Sequence, residues 1–133
     1  MHNINEQSLV TFVFAHYHDT LSGSERAQKF LDRIGFGDPS LIEQLYLGFS
    51  DRTLGVHLPN QNTPNGAAVR GALLNTGLLK SSGHELLHGC VIFPLFDARK
   101  VIMGGYAFRI VAFEKARRLV PVCWVLNRPV LRS

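Results

Sequence analysis

Residues 83–89 read Gly-His-Glu-Leu-Leu-His-Gly, and the spacing of His84, Glu85 and His88 is that of a zinc-protease helix. On such a helix the two imidazoles would hold zinc, and Glu85 would take a proton from a metal-bound water. His57, His16, His18 or a carboxylate could complete the ligand set. The competing reading is packing. Leucine at both free positions suits a segment with one side in a core, and flanking by Gly83 and Gly89 leaves room for only about one and a half turns at 3.6 residues per turn. His16-x-His18-Asp19 is open in the same way: alternating histidines suit a metal on a strand, but polar residues also commonly end an apolar segment. Asp97 is either a ligand or the acceptor of a turn over Ala98-Arg99-Lys100. No metal-ligand set is assigned, and His84 with His88 stands as the alternative.

These residues need elements to hold them. Residues 7–18 carry both helical and alternating apolar patterns, and helix is the reading taken. Ser24 precedes Glu25-Arg-Ala-Gln-Lys-Phe-Leu-Asp-Arg-Ile34, whose Ala27, Phe30, Leu31 and Ile34 share one helical face, and Gly35 offers a left-handed stop. Asp38-Pro39 opens a second such helix, running to about Leu47. Asn60–Gly66 reads as an exposed loop, followed by a helix over Ala67–Thr76 that ends at Gly77. Two short strands, Cys90–Phe93 and Leu95–Asp97, flank Pro94, which has no N–H for a ladder and so belongs at an edge, bulge or bend. A turn and a strand from Val101 towards Ile110 follow. Trp124 among valines suggests a further strand, confined by Pro121 and Pro129 to an edge or an irregular tail.

The 133 residues, 46% apolar and 18% charged, fit one small globular domain of α+β class: helices first, then a short, mainly antiparallel sheet. Cys90 and Cys123 lack paired spacing and read as reduced thiols. No signal peptide and no stretch long enough for a membrane span is found, so a cytoplasmic location is expected. The net charge of +4 is uneven. Up to Phe108 there are eight Lys/Arg against nine Asp/Glu, and from Arg109 onward six against Glu114 alone. Such a basic end holds phosphates or is simply solvated.

Four stretches, taken in order, resemble the N-terminal subdomain of the RNA-polymerase core in bacterial DnaG-type DNA primases, especially those of plasmids and mobile elements. They are ERAQKFLDRIGFGDPSLIEQLYLGFSDRTLGVHLP, VRGALLNTGLL, SGHELLHGCVIFPLFD and VIMGGYAFRI. The resemblance implies an N-terminal extension over 1–23, a primase-like domain over 24–110 and a divergent basic tail over 111–133. It places Pro94 where the family keeps a proline in its sheet, and it makes His84-Glu85-x-x-His88 part of a connector. The family's preceding zinc module and its following TOPRIM site, with an Asp-x-Asp pair for divalent metal, have no counterpart in the sequence. Phe108 stands where an arginine is expected, with Arg109 beside it on the opposite face of the strand.

The resemblance implies a single-stranded DNA-binding fragment that is not active alone. Magnesium would enter only with a TOPRIM partner, and TOPRIM or helicase replication proteins are the partners expected. The candidate phosphate contacts are Arg52, Arg70, Lys80, Arg99, Lys100 and Arg109, each of which is otherwise an ordinary solvated charge. The alternatives are a non-catalytic protein-interaction module or truncated remnant, and a zinc metalloprotease working through His84, Glu85 and His88.

Overall fold

The computed structural model describes residues 4–126, so Arg128, Pro129 and Arg132 of the basic end lie outside the described residues. The chain opens with α1, Glu6–Ser22, whose Val10, Val13, Phe14, Tyr17 and Leu21 are buried at helical spacing. The alternating pattern arises because Phe12, at 44% exposure, interrupts the polar side of this helix. Next come α2, Glu25–Ile34, and α3, Pro39–Leu45. Both have the expected caps: Ser24 accepts from the Ala27 N–H, and Asp38 accepts from the Ser40 N–H.

Strand β1, Gly48–Phe49, lies directly on α1. A Cβ at Gly48 would meet the Tyr17 Cβ at 2.8 Å, so only glycine allows this approach. A 3-10 turn, Leu54–His57, leads towards α4, Pro64–Thr76. This helix starts earlier than its sequence pattern predicts, because Thr63 caps it through the Gly66 N–H and Pro64 sits in its first turn. Gly77 ends it at φ 82°.

The sheet is antiparallel in the order β1-β2-β3-β4, with β2 Cys90–Phe96, β3 Ile102–Arg109 and β4 Pro121–Val125. A short helix, α5 (Ile110–Ala116), lies between β3 and β4. Contrary to the two-strand expectation, β2 runs unbroken through Pro94, with its irregularity one residue later, between Leu95 and Phe96. The reason is geometric. The Cys90 carbonyl accepts from the Ser50 N–H on the β1 side, so by strand alternation Ile92 and Pro94 also point their backbone groups that way. Strand β1 reaches only Val91 and Ile92, so the missing donor of Pro94 faces no partner.

Each face of β2 belongs to a different core. Cys90 and Ile92 pack with α1, Leu73 and Trp124, while Val91 joins Phe30, Leu31 and Ile110 on the other side. Residues before 24 and after 110 therefore supply the same cores as the central span. Trp124 is buried, its ring centroid lies 5.5 Å from that of Phe14, and its Nε1–H donates to the Thr76 carbonyl at 2.7 Å. Trp124→Ala should cost about 3–5 kcal/mol, and Trp124→Phe about 1–3 kcal/mol for the orphaned carbonyl, as read from urea unfolding. A chain cut after Ile110 should fail to give a cooperative transition.

Candidate nucleic-acid interface

The segment 83–89 is not a helix. It forms turns in which Gly83 and Gly89 take φ of 86° and 70°, and a bridge pairs Leu79 with Glu85. Glu85 points inward. Its Oε1 accepts from the Tyr17 hydroxyl at 3.0 Å and from the Ser50 hydroxyl at 2.9 Å, and all three residues are buried. Burial first, and the Glu85 carboxyl second, push the Tyr17 phenol well above its usual range.

The zinc-protease reading is thereby overturned. His88 contacts the Glu85 carbonyl through Nδ1 at 2.8 Å and an Arg109 guanidinium N–H through Nε2 at 3.3 Å, while His84 turns to the Ser82 hydroxyl. A general base cannot serve from inside the core with its oxygen committed to two hydroxyls. His16 and His18 also diverge, the first to Thr53 and the second to the Leu47 carbonyl and Glu43. On a helix, positions two apart do not share a face. Among the described residues no three His, Cys, Asp or Glu side chains gather as a metal site, so no step is assigned to a metal held by this chain.

The loop that loses its metal role gains an electrostatic one. Two cavities of about 390 and 270 Å³ share Arg52 and His88 in their walls; Arg70, His84 and Glu85 line the first, and Arg109 lines the second. Three of the six candidate cations, Arg52, Arg70 and Arg109, are brought together here. Arg52 sits at the tip of a turn in which the Asp51 carboxylate accepts from the Thr53 N–H, and its φ of 72° is left-handed. Arg70 reaches the carbonyls of Gly55 and Pro59 at 3.4 Å, and its buried Nε has no hydrogen-bond partner among the described residues. Arg109 donates to the His88 carbonyl at 2.7 Å and the Leu86 carbonyl at 3.4 Å. Neutral carbonyls position Arg70 and Arg109 without cancelling their charge.

The remaining candidates lie apart. Arg99 and Lys100 occupy the β2–β3 turn, roughly 20 Å along the strands from Arg109 at about 3.3 Å per residue. Asp97 is the turn acceptor there, taking the Arg99 and Val101 N–H groups, and its carboxylate lies 3.8 Å from the Arg99 guanidinium. Lys80 is exposed in the turn beside His84, where its N–H donates to the His84 carbonyl.

A second basic cavity, of about 250 Å³, lies between α2 and α5 and was missed in the sequence reading. Arg26, Lys29, Arg33 and Arg117 line it with Phe113. The first three recur every three to four residues on α2, a spacing visible in the sequence but ordinary for a solvated helix face.

Solved structures share this architecture. A DnaG catalytic core matches with a TM-score of 0.70 and 17% identity, over 97% of this chain and 40% of its own. The Aquifex aeolicus primase, zinc-binding and RNA polymerase domains, matches with 0.72 and 19%, over 95% of this chain and 31% of its own. A DnaG primase catalytic domain bound to ssDNA matches with 0.62 and 19%, over 79% and 35%. The fold is that of DnaG primase catalytic cores. This chain spans less than half of each of those chains, and no family model and no curated protein sequence matches it. The Phe108 ring packs edge-on to Phe93 in the apolar cluster, while Arg109 turns to the other face.

Two outcomes check this site. Glu85→Ala should cost about 2–4 kcal/mol in urea unfolding, because two buried hydroxyls lose their acceptor, and should leave zinc binding as weak as in the parent. Burial pushes the Cys90 thiol up to about 11, with Arg109 partly opposing, whereas Cys123 is exposed. A thiol reagent at pH 8 should therefore modify Cys123 alone until the chain unfolds. The folded state keeps the Cys90 proton that the unfolded state releases from about pH 9, so this thiol's contribution to stability is complete below pH 9 and is lost as pH rises towards 11.

Proposed function

We propose that this chain is a primase-like, non-catalytic unit that binds single-stranded DNA through the Arg52–Arg70–Arg109 face. The observation that carries the reading is the convergence of three guanidinium groups on adjoining cavities, where the one carboxyl group in the walls, Glu85, is turned into the core. Phosphate oxygens complement such a set, because arginine presents several donors in a fixed plane. The ssDNA-bound primase domain of the same fold supports nucleic acid as the ligand. Contacts of this kind follow the backbone and carry no base sequence. Lys80 would extend the face at its rim, while Arg99 and Lys100 are left as solvated charges.

Priming would need a TOPRIM partner bringing magnesium, with replication proteins as the company kept and the cytoplasm as the setting. Among the described residues no helix is long and apolar enough to cross a membrane. A protein-interaction module or truncated remnant is the second reading, favoured by Phe108 packing against Phe93 where the resemblance expects an arginine.

Binding to a fluorescent oligothymidine over a salt series tests the proposal. Three phosphate contacts predict a slope of log K against log salt of about −2, at about −0.7 per contact on a single strand. Arg52→Gly should stay within about 1 kcal/mol of the parent's stability, because its left-handed backbone suits glycine. It should nevertheless bind more weakly, with the slope reduced by about 0.7. A parent that does not bind at low salt, or whose binding ignores Arg52 and Arg70, hands the chain to the protein-interaction reading.

A further inference from the structure

The α2–α5 cavity holds more cations than its one carboxylate neutralises. Arg26 grips Glu114 with two bonds, Nε at 3.0 Å and a terminal nitrogen at 2.6 Å, the fork geometry that arginine also offers a phosphate. Arg33 and Arg117 both lower the Glu114 carboxyl further, after the larger effect of Arg26. Lys29 reaches Glu25 at 3.4 Å one turn earlier on α2, and Arg117 lies 5.6 Å over the Phe113 ring. Arg33 has no ion pair among the described residues. Glu114 therefore takes up the paired donors of Arg26 in a cavity that Arg33 and Arg117 also line.

The cavity also neighbours the first site. Arg109 is the residue before α5, Val111 lines the Arg52–Arg109 cavity, and Ile110, Phe113, Glu114 and Arg117 line the α2–α5 cavity. One helix of seven residues, about 10 Å long at 1.5 Å per residue, separates them. A strand lying along α5 would meet both cation sets.

We propose that the α2–α5 cavity is a second phosphate site for single-stranded DNA, and that Glu114 holds it closed by standing in for the phosphate. The strand as ligand rests on the single-stranded DNA reading; the closed anion site rests on the Arg26–Glu114 geometry alone. The two bridge partners are about half exposed, so exchange of carboxylate for phosphate needs no unfolding. A net positive site with an internal anion binds external anions weakly until the internal one is removed or displaced.

The experiment compares Glu114→Gln with the parent and with Glu43→Gln, a control carboxylate on α3 that pairs with His18. The probes are a labelled twenty-nucleotide oligothymidine and inorganic pyrophosphate, and urea unfolding confirms that all variants fold. Expected are a severalfold gain in oligonucleotide affinity for Glu114→Gln beyond that of Glu43→Gln, and a salt slope steeper by about 0.7. That gain should vanish when Arg26→Gln and Arg33→Gln are added. A gain no larger than the control's, or one that survives without Arg26 and Arg33, overturns the site while leaving the Arg52–Arg70–Arg109 reading intact. Pyrophosphate binding gained by Glu114→Gln with no oligonucleotide binding in any variant overturns the strand as occupant and the single-stranded DNA reading with it.

Discussion

The buried carboxyl group of Glu85 ties together the parts that carry charge. Its oxygen Oε1 accepts hydrogen bonds from the hydroxyls of Tyr17 on α1 and of Ser50 just past β1. Ser50 in turn is locked to the far side of the connector, donating its N–H to the Cys90 carbonyl and accepting from the Gly89 N–H. A buried carboxyl group is costly unless its hydrogen bonds are made, so the connector has one low-energy position. Arg52 follows Ser50 by two residues, and Arg109 bonds the carbonyls of Leu86 and His88 in the same connector. The cationic face is thus fixed from behind by an interaction that contains no cation.

That arrangement explains why the zinc-protease pattern misleads. A motif of His, Glu and His carries chemistry only on a helix that points all three side chains at one place. Here the flanking glycines take positive φ and allow tight turns, and the same glutamate serves as an internal acceptor. The residues are those of a catalyst, but their directions are those of a fastening.

Local features were legible in the sequence. Ser24, Asp38, Gly35 and Gly77 act within a few residues of their position, so α2, α3 and the end of α4 follow from short-range rules. Pro94 was legible as an edge feature because a missing donor constrains any sheet. What could not be read depends on partners far along the chain. The stretch around Trp124 was legible as an edge strand, but its pairing with β3 and the reach of Trp124 to Thr76, 48 residues away, were not. Convergence of positions 52, 70 and 109 is likewise a product of the fold, and no spacing in the sequence separates them from Arg99, which the hairpin carries to its opposite end. The α+β class followed from helical segments preceding strand-like ones, even though periodicity alone left helix and strand competing over the first segment.

The two basic cavities differ in how their cations are held, and the difference has a functional consequence. In the first, backbone carbonyls position Arg70 and Arg109, and a carbonyl orients a guanidinium while leaving its net charge in place to draw anions through solvent. In the second, a carboxylate holds Arg26, and the pair is close to neutral beyond a Debye length of about 8 Å in physiological salt. Arg33 and Arg117 line the same cavity without an ion pair among the described residues, so the α2–α5 face keeps a positive field of its own and both faces draw a polyanion. What differs is the last step: at the α2–α5 cavity a phosphate must compete with Glu114 for the donors of Arg26, whereas at Arg70 and Arg109 it adds to carbonyl contacts that leave the charge in place.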